Sequence, residues 1–219
     1  MSEKNSENER ISEAVIRRLP KYFRYLSDLE TLGVERISSS AMSKGMSLNA
    51  SQIRRDLNCF GGFGQQGYGY SVKNLKNEIK KILAIDKKYN AVIIGSGNIG
   101  QALANYKNFV MEGYDIKAIF DIDSNRIGRT LNGIKVRNMS ELEGFLEEAA
   151  IKVGILATPK EVAQEVAETL INGGVTGIWN FAPQDVKGGG KACVENVHLS
   201  DGLYVLSYYM NERNKLSEE

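Results

Sequence analysis

The sequence predicts an α/β fold in two parts: a helical front half ending in a small β-ribbon, then a parallel sheet with alternating helices, followed by a terminal helix. Three observations predict it. Apolar residues recur at helical spacing three times before residue 60. A glycine- and tyrosine-rich stretch follows, and from Asn90 onward short apolar runs alternate with helical segments. At 219 residues two domains are expected.

Residues 1 to about 10 (MSEKNSENER) are polar and are expected to be disordered. The run RLPKYFRYLSDLETLG places Leu19, Tyr22, Phe23, Leu26, Leu29 and Leu32 on one helical face, with Pro20 suited to a first turn and Gly33 to the stop. SSSAMSKGM reads as a short serine-capped helix, SLN as a turn and ASQIRRDLNCF as a third helix. Three helices with a tight turn before the last form a helix-turn-helix pattern. Next, GGFGQQGYGYSV is too glycine-rich for a helix and too aromatic for a plain linker. Its Tyr68 and Tyr70 alternate with glycine, as in a small β-ribbon, or wing. Val72, Leu75, Ile79, Ile82 and Leu83 then share one face of a linking helix.

The second half reads AVII, a helix, IKAIFDI, another helix, VGILAT, a helix from Lys160 to Ile171, and GIWNF. That alternation is the pattern of βαβ units in a Rossmann-type parallel sheet. GLYVLSYYMNER closes the chain as a helix with an aromatic face. The expected domains are 1–85, 86–200 and 201–219.

Charge divides the chain. Arg10 to Lys88 carries 15 Lys/Arg against 7 Asp/Glu, or +8, within a total of +1, so the remainder carries −7. A basic front half fits a polyanionic partner. On the third helix Gln52, Arg54 and Arg55 have the hydrogen-bonding groups that read base edges or hold phosphate. Together with Ser38 and Ser39 at the second helix, and Gly67, Tyr68 and Tyr70 in the wing, they form the expected surface for double-stranded DNA.

The sheet half carries Gly95-Ser96-Gly97-Asn98-Ile99-Gly100 directly after the AVII run. In a GxGxxG turn the first glycine permits the tight bend, the second lets backbone approach a pyrophosphate, and the third lets helix and strand pack closely. Asp121 ends the next strand 21 positions after Gly100, where a carboxylate accepts ribose hydroxyls and repels a 2′-phosphate. The cofactor expected is therefore NADH or NAD⁺ rather than its phosphorylated counterpart. Asp123 competes for that role but is better placed as a helix cap. Thr158, Pro159 and Asn180 follow apolar strands, where carboxyl ends face the ligand crevice, and Tyr106 is either a core ring or a cofactor-facing one.

Some function classes lose ground. The single histidine, His198, excludes a multi-histidine metal site, and no metal site is expected; Cys59 and Cys193 lack metal-ligand spacing and are expected to be reduced and structural. Hydride-transfer enzymes need a proton donor or acceptor near neutrality, and no Tyr-xxx-Lys pair occurs in the cofactor half, so no catalytic residue is expected. No apolar run approaches the length of a membrane span and no signal-peptide layout opens the chain, so a cytoplasmic location is expected.

Taken in order, Arg18-Leu19-Pro20, Ser38-Ser39, Gln52-Ile53-Arg54-Arg55-Asp56, the wing from Gly61 to Tyr70, Gly95 to Gly100 and Asn180-Phe181-Ala182-Pro183 resemble the Rex family of redox-sensing transcriptional repressors from about Ile11 to about Arg213. The resemblance implies a homodimer that binds a palindromic operator when free or bound to NAD⁺ and leaves it when NADH binds. It also implies a C-terminal helix swapped into the partner subunit, which accounts for the aromatic face. Two positions depart from the family pattern. Gln66 stands where a basic wing residue is common. His198 stands where an acid often pairs between subunits with the arginine that matches Arg24, so that contact here requires a neutral imidazole or a rearrangement.

Overall fold

The computed structural model describes residues 11–65 and 68–218. The chain divides into two compact units, Met1–Lys87 and Lys88–Glu219.

The first unit opens with α1 (Glu13–Thr31), which buries Val15, Leu19, Tyr22 and Leu26 along one face. Pro20 lies inside this helix rather than in its first turn, because the helix already begins at Glu13. A Glu13–Arg17 pair one turn apart supports that additional N-terminal stretch. Leu32 lies past the helix end and is exposed, so it is not part of the apolar face. Strand β1 (Arg36–Ile37) leads to α2 (Ser39–Met46), whose N-cap Ser38 accepts a hydrogen bond from the Ala41 amide. Helix α3 (Ala50–Asn58) is capped by Asn49. The wing is β2 (Gly64–Gln65) and β3 (Gly69–Ser71), and Ser71 caps α4 (Val72–Ile82), which buries Val72, Leu75 and Ile79. Strand β3 lies between β1 and β2 with antiparallel pairing on both sides. The two residues of β1 carry too little pattern to be legible before this pairing is known. One apolar core joins the buried faces of α1, α2, α3 and α4 with Ile37 and Tyr70.

The second unit is a seven-stranded sheet. Its strands are β4 (Tyr89–Ile94), β5 (Tyr114–Asp121), β6 (Thr130–Leu131), β7 (Ile134–Asn138), β8 (Val153–Leu156), β9 (Gly177–Asn180) and β10 (Cys193–Asn196), in spatial order β10-β9-β8-β4-β5-β7-β6. All pairings are parallel except β6 with β7. The parallel strands run 3-2-1-4-5-6 in sheet order, the doubly wound arrangement whose strand order reverses between β4 and β8. Helices α5 (Asn98–Ala104) and α6 (Asn108–Met111) follow β4; α7 (Leu142–Ala149) follows β7, and α8 (Lys160–Asn172) follows β8. The central strands are buried on both faces, as a sheet covered by helices requires. Val92, Ile94, Ala118 and Phe120 enter one core, while Ile93 and Ile119 enter the opposite one, with the period of two of a strand.

Helix α9 (Asp201–Glu218) ends the chain. Leu203, Tyr204, Val205, Leu206, Tyr208, Tyr209 and Met210 are each more than half exposed on it. Among the described residues no helix is long and apolar enough to cross a membrane.

Candidate functional site: a dinucleotide crevice and a basic reading helix

At the switch point the backbone runs from Ile94 into the glycine turn. Gly95 has φ +97°, and a Cβ there would lie 2.4 Å from the Ala157 carbonyl oxygen, so strand β8 closes against a turn that admits only glycine. A Cβ on Gly100 would lie 1.9 Å from the Gly95 oxygen, which shows how closely α5 packs on the turn. Gly97 differs. Its nearest neighbour in the Cβ direction is an Arg126 guanidinium nitrogen at 3.7 Å, and the residue lines a cleft of about 560 Å³. The three glycines thus divide the work as the motif requires: bend, open approach, and close packing.

Asp121 lies in the cleft wall and is 7% exposed. Its carboxylate accepts from the Ser96 amide at 2.7 Å, the Ser96 hydroxyl at 2.5 Å and the Asp123 amide at 2.9 Å. Burial pushes this carboxyl up, but those hydrogen bonds outweigh burial and hold it below the usual carboxylate range. Ser96 therefore ties the glycine turn to the acid at the end of β5. Asp123 accepts from the Asn125 amide in a local turn; the chain passes from β5 through turns to β6 with no helix between, so the expected helix-cap role is not borne out. Arg126, which with Arg129 follows Asp121 closely enough in sequence to weaken the exclusion of a 2′-phosphate, reaches over the cleft to Asp121 at 3.5 Å and Asp123 at 3.2 Å. Its spacing from Asp123 was visible in the sequence; its position over Gly97 was not.

Thr158 and Pro159 line the same cleft, and the Thr158 hydroxyl is buried with no hydrogen-bond partner. A buried unsatisfied hydroxyl beside an open glycine turn is a place for a polar ligand atom. A dinucleotide fits this donor set: backbone amides at the turn, a carboxylate for ribose and an orphaned hydroxyl. Asn98 and Ile99 begin α5 behind the turn.

Asn180 does something else. It is fully buried; its amide donates to the Gln184 oxygen at 2.7 Å and the Asn196 side chain at 2.8 Å, and its oxygen accepts from Ala182 at 3.0 Å. With both amide hydrogens committed, it fixes the turn after β9 rather than facing a ligand. Tyr106 is 47% exposed and packs edge-on against Phe109, which meets Trp179, which meets Phe181. This aromatic row is separate from the cleft-lining set. His198 is held within its own unit by Asp185 at 2.7 Å, and Arg24 is exposed on α1.

In the first unit helix α3 exposes Arg54 and Arg55. Arg54 donates to the Ser39 hydroxyl at 3.1 Å, bringing α2 and α3 to one polar surface. Gln52 turns inward, donating to Asp56 at 2.6 Å and accepting from Arg55 at 3.2 Å. Its amide therefore positions Arg55 and Asp56 in the unbound chain instead of projecting to bases. Ser38 acts as the α2 cap. Tyr68 is 71% exposed at the wing tip, whereas Tyr70 is buried at 8%. Tyr68 lies in the turn before β3 while Tyr70 lies within that strand and packs into the core of this unit, so Tyr70 is a core residue rather than a DNA contact. Gly67 and Gln66 lie outside the described residues.

Asp56 is the residue that sequence reasoning missed as a hub. It is 1% exposed and accepts from Arg18 at 2.6 and 2.8 Å, from the Tyr22 hydroxyl at 2.6 Å and from Gln52. The acid lies 38 positions from Arg18, and its only sequence signal was a charge on the apolar side of an amphipathic helix. Cys59 and Cys193 are free and exposed, not core residues. Among the described residues no group of three or more His, Cys, Asp or Glu is placed to hold a metal.

The matches to known proteins divide the chain at the same place. Residues 10–58 match the family model described as putative DNA-binding protein N-terminus, and residues 86–184 match the CoA binding domain. The redox-sensing transcriptional repressor Rex of Clostridium novyi (strain NT) is 52% identical over 204 residues, 93% of this chain and 97% of that protein. The chain belongs to the Rex family. The Rex repressor of Clostridium acetobutylicum is 52% identical over 94% of this chain and 96% of its own. Among solved Rex-family structures, RSP in complex with β-NAD⁺ and operator DNA has a TM-score of 0.88 at 48% identity, covering 95% of this chain and 96% of that one. RSP in complex with β-NADH has a TM-score of 0.87 at 46% identity, covering 95% and 98%.

Exposure on α3 gives a direct expectation. Arg54→Ala and Arg55→Ala should each weaken operator binding while NADH binding is unchanged. A lost phosphate contact lowers the salt slope by about one unit, and a lost base contact relaxes preference at one position. Salt-titrated gel shifts of both variants distinguish these outcomes, and unchanged affinity in both would remove α3 from the groove.

Proposed function

We infer that this chain is a DNA-binding transcriptional repressor that senses the NADH/NAD⁺ ratio and releases its operator when NADH binds. The observation that carries this reading is a dinucleotide crevice and a winged helix-turn-helix in one chain, in the family of RSP, which is known with NAD⁺ and operator DNA and with NADH. We assign 1–85 to DNA binding, 86–200 to the cofactor and 201–219 to dimerisation. A gene repressor with this arrangement works in the cytoplasm, where bacterial DNA is.

Several residues support the roles. The Gly95–Gly100 turn with its following helix offers amides to a diphosphate, Asp121 offers a ribose acceptor, and Thr158 with Pro159 closes the crevice. Arg54, Arg55, Ser39 and Tyr68 present donors to a duplex. A homodimer with α9 swapped between subunits accounts for a helix with seven apolar side chains more than half exposed. NADH and NAD⁺ differ at the nicotinamide, neutral in one and cationic in the other. A pocket made apolar by Tyr106 and the partner helix penalises the cation by its desolvation.

A ligand shifts a protein between two states only by its differential affinity for them. NADH is therefore expected to release the chain from DNA at concentrations about tenfold or more below those of NAD⁺. The test is a gel shift on a pool of genomic promoter fragments, titrated with NADH at fixed NAD⁺. Equal release by the two cofactors overturns the redox-sensor reading. Absence of any shifted fragment, with oxidation of a small alcohol or acid by the chain, favours a dehydrogenase instead.

A further inference from the structure

Past Asp121 the cleft continues into a part with a different chemistry. Ile122 follows the ribose-side acid immediately and is 83% exposed, an apolar side chain on the rim with no packing role to explain it. Met139 lies on the same wall, and α8 faces it with Val162, Glu165 and Val166, at the spacing i, i+3, i+4 of one helix stripe. Four apolar side chains and one carboxylate therefore line the end of the cleft next to the ribose acid. Glu165 makes no hydrogen bond or ion pair with its side chain among the described residues. By contrast, the other two carboxylates of the cleft, Asp121 and Asp123, are both held by Arg126 and by backbone amides.

The group attached to the ribose that Asp121 would accept is the adenine base. A planar apolar ring with one polar edge suits an apolar slot with one unpaired acceptor. We propose that Glu165 is the base-reading residue of the crevice, accepting a hydrogen bond from the exocyclic amino group of adenine and selecting adenine dinucleotides over those with an oxygen at that position. The proposal rests on the cofactor reading above and adds a specificity-determining residue to it. A carboxylate accepts only, so an oxygen on the base in place of the amino group sets acceptor against acceptor. A site built to hydrogen-bond one group discriminates against an analogue lacking it, because its own polar atom is then left unpaired.

The experiment compares binding of NADH and of reduced nicotinamide hypoxanthine dinucleotide to the full chain by fluorescence titration. The native chain is expected to prefer NADH by about tenfold, in the range of one hydrogen bond to a charged group. In Glu165→Ala the preference should fall to within about twofold through weaker NADH binding. Glu165→Gln should also lose the preference, through stronger binding of the hypoxanthine form, since an amide donates as readily as it accepts. Glu165 is exposed at the cleft rim and not part of the core, and an unchanged melting curve for both variants confirms that the change is in recognition. A native ratio near one, or a ratio unaltered in Glu165→Ala, overturns the assignment while leaving the cofactor reading intact. Failure of the native chain to bind NADH at all overturns the cofactor reading itself.

Discussion

Asp56→Ala is expected to destabilise the first unit by about 3 kcal/mol or more, the scale for removing one partner of a buried ion pair. The carboxylate is 1% exposed and receives Arg18 in a two-pronged contact together with the Tyr22 hydroxyl and the Gln52 amide. Its loss strands three donors between α1 and α3, one of them charged. Operator binding should fall with the fold of this unit, while NADH binding, whose proposed residues all lie beyond Lys88, should persist. The pH dependence has a definite sign. Burial pushes the Asp56 carboxyl up, but its hydrogen bonds with Arg18, Tyr22 and Gln52 prevail and hold it below the usual value, so the stabilisation is complete above about pH 4 and is lost as pH falls through the lower folded value. Asp56→Asn keeps the shape, removes this titration and should flatten the acid limb of the unfolding curve. Urea denaturation of native chain and variants between pH 3 and 7 measures both effects. A change below about 0.5 kcal/mol in Asp56→Ala, the size of an ordinary surface substitution, would show that the pair carries little.

The second large effect separates two glycines of one motif. Gly100→Ala should lower NADH affinity by about a hundredfold and destabilise the second unit by about 3 kcal/mol, the upper end for overpacking. The new Cβ would sit 1.9 Å from the Gly95 oxygen, and the obstacle is backbone, so α5 must move and the turn with it. Gly97→Ala should melt like the native chain yet lose tenfold or more in NADH affinity, because its Cβ meets nothing closer than a guanidinium nitrogen at 3.7 Å and occupies only the space a diphosphate needs. Thermal melts paired with NADH titrations read the two quantities separately. Native affinity in Gly97→Ala would move the diphosphate off this face, and an unshifted melt in Gly100→Ala would mean that α5 is not held against the turn.

The sequence by itself determined the local and repetitive features of this protein. The stripe Leu19, Tyr22, Leu26, the serine cap of α2, the buried runs AVII and AIFD, and the glycine turn all depend on neighbours within one or two turns of chain. Such signals survive in a linear reading because propensity, capping and period act over short separations. The ordered set of motifs was specific enough to point to the Rex family.

Tertiary structure decided whatever depends on a distant partner. Strands β1, β7 and β10 are short and of mixed polarity, and they exist as strands because β3, β5 and β9 supply their hydrogen bonds. Asp56 is an unexplained charge on the apolar side of α3 until α1 places Arg18 and Tyr22 against it; Gln52 reads as a base contact until Asp56 draws it inward. Asn180 reads as a crevice residue until Asn196, on a strand 16 positions away, takes one of its hydrogens. Tyr68 and Tyr70 look alike in sequence, but Tyr70 lies in β3 and packs into the core of this unit, whereas Tyr68 lies in the turn before that strand and stays exposed. In each case burial in a low-dielectric interior makes an unpaired polar group costly, so the partner that the fold brings near fixes the side chain's role.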